Sequence, residues 1–226
     1  MTLAAVEAIE LADVVAYPVA KLGGDSIAAK IASRWINPQQ LRLPMLFPMV
    51  KEAEPRLEAW RQAGDQLAGA VAEGQRVVFL CEGDVSLYAS GSYVLRYLQA
   101  HHSTCPLRLI PGITAMAAAA AAGAWPLALQ QDQLLVLPTP DQPQNLEKLL
   151  DEAAGLGRVL ALLKLGHRWT WVRPLLEQRG LLQDSLFAKQ VGWPDQQLMA
   201  ANEVSAETSP YFSLLLVRQS WPEVMP

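Results

Sequence analysis

Two short loops carry the residues best suited to hold a small reactive molecule. The first, Cys81-Glu82-Gly83-Asp84-Val85-Ser86-Leu87-Tyr88, follows the apolar run Val77-Val78-Phe79-Leu80. The second, Pro111-Gly112-Ile113-Thr114-Ala115, follows Leu107-Arg108-Leu109-Ile110. Gly83 lets backbone approach a ligand, Asp84 can accept hydrogen bonds from hydroxyls or an amine, and Ser86 is placed to cap a following helix. In the second loop small residues again leave room beside a strand end. Taken alone, each loop is a weak signal, and the bland reading, a Gly-Asp turn plus a capping serine, is the favoured one. Together, two glycine-containing loops after consecutive strands, each opening a helix, can line one crevice beyond the carboxyl ends of a parallel sheet.

Other chemistry finds less support. His101-His102 and His167 lack metal-ligand spacing, and no Cys or carboxylate completes a set, so no metal site is expected. Cys81 and Cys105 are the only cysteines, and a disulfide between them is not expected in a reducing compartment. Trp169 and Trp171 alternate as a core or subunit-contact pattern does, rather than as an aromatic pocket.

The elements that must position the loops follow from hydrophobic periodicity. Ala4 to Ala12 has helical composition and feeds a strand at Val14-Val15-Ala16-Tyr17. A helix spans Ser26 to Trp35, with Asp25 as its N-cap and Asn37-Pro38 closing it. Leu41 to Pro48, interrupted by Pro44, is an edge strand at best. Leu57, Trp60, Leu67 and Val71 fit an amphipathic helix over Lys51 to Glu73, ended by Gly74. Val77 to Leu80 is then a buried strand, Leu87 to Ala100 a helix, Leu107 to Ile110 a strand and Ile113 to Gly123 a helix. Alternation of strands and helices gives βαβ units and a parallel sheet.

After Trp125-Pro126 the texture changes. Strands are expected near Gln133–Leu137, Arg158–Leu163, Ser185–Val191 and Phe212–Arg218, with helices near Asn145–Gly155 and Thr170–Arg179. A domain boundary falls near Gly112, separating residues 1–112 from 113–226.

The 226 residues suffice for one large or two small packed domains, and 51% hydrophobic against 18% charged residues argues against disorder. A net charge of −4 offers no global positive field for a nucleic-acid backbone. No apolar run reaches the roughly 18 residues of a membrane helix. Met1-Thr2-Leu3-Ala4 lacks the basic start of a secretory signal, so cytoplasmic residence is expected.

At this point the residues resemble a known family. Phe79 to Tyr88 looks like the Gly-Asp-Pro-Ser-Leu-Tyr segment of the tetrapyrrole methylase family, in its precorrin-2 C20-methyltransferase branch. Ile110-Pro111-Gly112-Ile113-Thr114-Ala115 is similar to the same proteins' Pro-Gly-Ile loop. Asp13-Val14-Val15-Ala16-Tyr17-Pro18-Val19, Lys164-Leu165-Gly166-His167 and Pro210-Tyr211-Phe212-Ser213-Leu214-Leu215-Leu216-Val217-Arg218 extend the likeness over nearly the whole chain. The last run and Val-Ala-Tyr-Pro point most narrowly to that branch.

The resemblance implies a two-domain α/β fold, with an N-terminal parallel sheet domain and a C-terminal mixed-sheet domain. It implies S-adenosylmethionine as methyl donor, with Glu82, Gly83 and Asp84 facing its methionine end. Thr114 and Ala115 would lie alongside the donor, and Leu163, Pro210 and Tyr211 near its adenosine. The glycine-rich loop of Rossmann methyltransferases is not used by this family, and no G-x-G-x-x-G occurs here.

The implied acceptor is the C20 meso carbon of precorrin-2 or its cobalt-bearing counterpart. Because that tetrapyrrole carries several carboxylates, Arg42, Lys51, Lys164 and Arg168 are candidate partners, and Tyr17 either bonds substrate or packs. Lys51 reads equally as a solvated surface charge. A homodimer is implied as well. The other readings are a sister activity of the family, on another precorrin carbon, uroporphyrinogen, ribosomal RNA or a diphthamide precursor, and a non-catalytic remnant that binds a partner or tetrapyrrole.

Two departures stand out. Val85 replaces the family's proline, removing a φ restraint but no hydrogen-bonding group. Met1 to Val6 matches a segment that in the family follows a first strand and its Gly-x-Gly-Pro-Gly-Asp-Pro loop. Without that strand, unpaired strand edges are expected in the first sheet.

Overall fold

The computed structural model describes residues 1–222, and the chain divides into Met1–Thr114 and a second unit beginning at Ala115. In the first unit α1 (Leu3–Leu11) is capped by Thr2, whose side-chain oxygen accepts from the Ala5 N–H. It leads into β1 (Val14–Val19), then α2 (Ile27–Ala32), β2 (Leu41–Leu46), α3 (Ala53–Ala72), β3 (Val77–Phe79) and α4 (Gly91–His101). The three strands are parallel in the order β2-β1-β3, with Val14 level with both Leu41 and Val77.

Side chains alternate across a strand, so β1 serves two cores. Ala16 joins Met45, Phe47, Leu67, Val94 and Leu98 on the α3–α4 side. Val15 joins Ile9, Ala12, Ala28, Ala32 and Leu80 on the α1–α2 side. β2 is an edge strand, as Pro44 requires, because proline cannot donate to a ladder.

Three expectations need correction in this unit. Ser26, not Asp25, caps α2, its hydroxyl oxygen accepting from the Ala29 N–H at 3.3 Å. Ser86 caps no helix, because its hydroxyl and N–H both donate to Asp84, and α4 begins only at Gly91. Leu107 to Ile110 forms no strand. A strand needs a ladder partner, and among the described residues β3 pairs only with β1. The segment is extended coil, with Leu107 and Leu109 exposed. β3 is the second edge of this sheet among the described residues.

The second unit runs α5 (Ala115–Ala122), β4 (Gln133–Pro138), α6 (Pro143–Ala153), β5 (Arg158–Leu163), α7 (Trp169–Gln178), β6 (Ser185–Lys189), β7 (Gln197–Ala200) and β8 (Ser213–Val217). Its five strands lie in the order β4-β5-β8-β6-β7. β4 and β5 are parallel, while the other neighbours are antiparallel. The sheet is therefore mixed, and β7 was not expected.

One face of this sheet packs Leu160, Leu162, Phe187 and Leu215 against Leu146, Leu150, Trp169, Val172 and Leu176 from α6 and α7. The other packs Ala161, Leu163, Leu186, Ala188, Leu214 and Leu216 against Ala119 and Ala120 of α5. Trp169 is thus core, and its indole N–H donates to the Ser205 carbonyl at 2.8 Å. Just past β8, Arg218 is buried and pairs with Asp132 while donating to the Pro126 carbonyl. No helix among the described residues is long and apolar enough to cross a membrane.

Candidate functional site

The first unit brings its two glycine turns into contact. Leu80 still bonds to the sheet, its N–H donating to the Ala16 carbonyl at 2.8 Å, and the chain then leaves β3 as the turn Cys81 to Ser86. Gly83 holds φ +68°, a left-handed conformation that side chains resist. A Cβ on Gly112 would fall 1.9 Å from the Gly83 carbonyl oxygen. That neighbour is backbone and cannot swing away, so only glycine permits this approach.

Asp84 locks the two turns together. Its Oδ1 accepts from the Ser86 hydroxyl and from the Ser86 N–H, and its Oδ2 accepts the Gly112 N–H at 2.7 Å. The bonds from Ser86, followed by that from Gly112, hold the Asp84 carboxyl below the usual carboxylate range against a smaller opposing effect of burial. Behind the turn the Ser92 hydroxyl donates to the Val85 carbonyl at 2.6 Å. A Cβ on Gly91 would come 2.5 Å from Cys81 Sγ. Burial, with smaller contributions from the Glu82 and Asp84 charges, pushes the Cys81 thiol up to about 11.

Glu82 differs from Asp84. It is open to solvent, and no hydrogen bond or ion pair engages its carboxylate among the described residues. Desolvation nonetheless raises its carboxyl above the ordinary glutamate value. No Lys or Arg occurs in residues 81–91 or 111–114. Two carboxylates without a basic neighbour suit a cationic group, such as a sulfonium or an ammonium, far better than an anion.

The second unit makes its own cluster at the carboxyl end of β5. The Thr139 N–H and hydroxyl both donate to the Leu163 carbonyl, at 2.7 and 2.9 Å. Lys164 takes φ +56°, an uncommon conformation for a residue with a side chain. Ser213 ties this corner to the 210–213 segment: its carbonyl accepts the Leu165 N–H at 2.9 Å, its Oγ accepts the Gly166 N–H at 3.1 Å, and its hydroxyl donates to the Pro210 carbonyl at 2.7 Å. Lys164 Nζ stands 5.9 Å from the ring centre of Tyr211, whose side chain is exposed.

The candidate residues therefore gather in two places. Glu82, Gly83 and Asp84 meet Gly112 in one turn of the first unit, with Thr114 closing that unit and Ala115 opening α5. Leu163, Lys164, Pro210 and Tyr211 meet around Ser213 in the second. Tyr17 lies one residue beyond Ala16, which is level with Phe79, so it sits beside the base of the first turn. It is half-buried against the α1–α2 core.

The cations are placed less uniformly. Arg168 donates to the Lys164 carbonyl at 3.2 Å and pairs with Asp141, so a carboxylate already holds it. Arg42 is level with Val15, at the amino end of β2 and away from the turn that leaves β3. Lys51 is exposed ahead of α3, where its carbonyl accepts from Arg56. Thr139 and Ser92, which help organise these corners, were not singled out in the sequence, and Ser213 stood out only as part of the Pro210-to-Arg218 run, because each acts through backbone groups that residue type alone does not mark.

Comparison with known proteins places the chain among described relatives. A family model described as Tetrapyrrole (Corrin/Porphyrin) Methylases matches residues 1–205. The cobalt-precorrin-2 C(20)-methyltransferase of Salmonella typhimurium is 28% identical over 225 residues, covering 98% of this chain and 91% of that protein. The precorrin-2 C(20)-methyltransferase of a Sinorhizobium species is 28% identical over 226 residues, covering 96% and 89%. Among solved structures, the methyltransferase CobJ superposes with a TM-score of 0.68 at 27% identity, covering all of this chain and 91% of that one.

Proposed function

The chain belongs to the tetrapyrrole methylase family, and from that premise we propose that it is an S-adenosylmethionine-dependent C-methyltransferase acting on C20 of precorrin-2 or cobalt-precorrin-2 in cobalamin biosynthesis. The observation that carries this reading is the contact between the Gly83 and Gly112 turns, locked by Asp84 and free of basic residues. The names and near full-length coverage of the two relatives support the choice of acceptor.

Bound S-adenosylmethionine supplies an electrophilic methyl group on a positively charged sulfur. The protein's part is to bind, to orient and to exclude water, and a nucleophilic side chain is not required. The Gly83 and Gly112 backbone allows close approach, and the acidic turn favours the donor's positive groups. Thr114 and Ala115 continue that wall in the proposal, while Leu163, Pro210 and Tyr211 take the adenosine. Tyr17, Lys164 and Arg168 are assigned to the acceptor's polar edge, where a guanidinium can trade Asp141 for a substrate carboxylate. Arg42 is retained for a peripheral carboxylate only. Cytoplasmic residence and a homodimer complete the proposal, the latter implied by the family resemblance and compatible with the 51% hydrophobic composition.

Incubation with precorrin-2 and a donor carrying a 13C methyl group should place the label on C20, read by NMR of the tetrapyrrole. Label at another ring carbon would move the protein to a sister activity. An unlabelled tetrapyrrole would remove the enzymatic reading.

A further inference from the structure

The three strands of the first sheet are parallel, so their carboxyl ends lie on one side of it, in the order β2-β1-β3. The acidic turn leaves β3 there, and the loops that follow β1 and β2 leave the same end. Val19 is level with Leu46, and the Phe47 N–H donates to the Val19 carbonyl at 2.8 Å, so these two loops depart together. The first turns at once: the Gly24 N–H donates to the Lys21 carbonyl at 3.0 Å, and Gly23 holds φ +71°. Leu22, inside that turn, is 75% exposed, and Met49, on the second loop, is 77% exposed. Leu46 and Val50 are exposed as well. Four large apolar side chains on two adjoining loops make a patch that water disfavours and a ligand can cover.

The patch is edged by cations. Lys21 and Lys51 are exposed at its two ends, and the ion pairs among the described residues engage neither. No Asp or Glu occurs in residues 17–24 or 41–51. Acids return only at Asp25 and Glu52, where α2 and α3 begin and helix N-termini favour them. The turn after β3 has the opposite character, with Glu82 and Asp84 and no Lys or Arg. One end of one sheet is thus divided between an acidic turn and an apolar lip with basic edges.

We propose that this lip, made by Lys21, Leu22, Leu46, Met49, Val50 and Lys51, seats the tetrapyrrole acceptor, a proposal that rests on the methyltransferase reading above. The apolar side chains lie under the ring system, and the two ammonium groups meet its peripheral carboxylates. The division of charge sends a cationic donor to one strand end and a polycarboxylate acceptor to its neighbours, as transfer between them requires. Tyr17, two residues before Val19 and so on the same face of β1, adjoins the lip. A symmetric contact between two copies fits the lip less well, because it would oppose like charges with no acid between them.

The test measures methyl transfer to precorrin-2 at saturating S-adenosylmethionine, with S-adenosylhomocysteine calorimetry as a check on the donor turn. The double variant Leu22→Ser, Met49→Gln alters only exposed side chains, so the core is untouched. Its KM for precorrin-2 should rise at least about tenfold, while kcat and S-adenosylhomocysteine affinity stay within about threefold of wild type. The double variant Lys21→Gln, Lys51→Gln should raise KM about tenfold and remove most of its dependence on ionic strength. Replacing both lysines with Arg should restore the wild-type KM and the salt response, which a purely structural role would not do.

Variants that keep the wild-type KM and its salt dependence would overturn the proposal and leave the methyltransferase reading in place. An unchanged KM with conversion of a dimer to a monomer in analytical ultracentrifugation would also overturn it, by giving the lip to a second copy. S-adenosylhomocysteine affinity lost in parallel with KM would overturn it by making the lip part of the donor site. Wild-type protein that transfers no methyl group would remove both readings at once.

Discussion

In the first unit an acidic turn stands at the end of β3, a short strand that is only half-buried and has one ladder partner among the described residues. In the second, β8 is buried along its whole length between two neighbours, and the charge just beyond it, Arg218, is sealed against Asp132 and flanked by Trp125 and Trp221. The first unit keeps carboxylates where solvent and ligand reach them, and fixes one with backbone N–H groups. The second buries a charge and must supply its counter-ion from within. Damage to the first turn should therefore appear mainly as lost binding, and damage around Arg218 mainly as lost stability.

The largest effect is expected at Arg218. Its replacement by Met strands a buried Asp132 and should cost about 3–5 kcal/mol in urea unfolding, as broken buried pairs do. Adding Asp132→Asn should recover much of that loss, because no uncompensated charge remains. A single variant as stable as wild type would erase the contrast between the units.

Gly112→Ala comes next. The added methyl meets the Gly83 carbonyl and must separate the turns, so S-adenosylhomocysteine affinity should drop at least about 100-fold, roughly 2.8 kcal/mol. Unimpaired binding would show that the contact between the turns is incidental. Calorimetry reads this directly.

Asp84→Asn is expected to be milder. An amide can still accept at one atom but presents N–H groups to the other donors, and loss of about tenfold in affinity is predicted, roughly 1.4 kcal/mol. The same clamp responds to pH with a definite sign. Because the folded carboxyl is depressed, the stabilisation it provides is present above the unfolded value and is lost as pH falls through the folded pKa. Hydrogen exchange at the Gly112 amide should therefore quicken on acidification in wild type, beyond the intrinsic trend, and lose that response in Asp84→Asn.

The smallest effect concerns Cys81. A thiol pushed up to about 11 holds little thiolate at pH 8, so alkylation by iodoacetamide should be slower than for an unfolded control peptide. Reaction at the control rate would show that the back of the turn is open.

Much of this contrast was legible in the sequence. Continuous apolar runs announced β1, β5 and β8, because fully buried strands leave little room for polar residues. Gly83 and Gly112 stood out because glycine after a strand marks backbone that must turn tightly or come close. The Asp84 clamp was not legible, since it joins residues 28 apart through a backbone N–H that any residue but proline could offer. Ser86 was misread because a serine ahead of a helix suggests a cap, whereas Asp84 captures its donors first. Leu107 to Ile110 carried a strand's composition, but pairing is a property of neighbours, and among the described residues no strand pairs with it. β7 was missed because Gln197-Leu198-Met199-Ala200 is short and only half-buried.

The central claim is that the Gly83 and Gly112 turns wall the methyl-donor site. Titrating S-adenosylhomocysteine into 15N-labelled protein tests it most directly. The claim predicts that the backbone amides of Gly83, Asp84, Gly112 and Ile113 shift together and saturate at one ligand per chain. Saturable binding that leaves those four amides unmoved, or no binding at all, would contradict it.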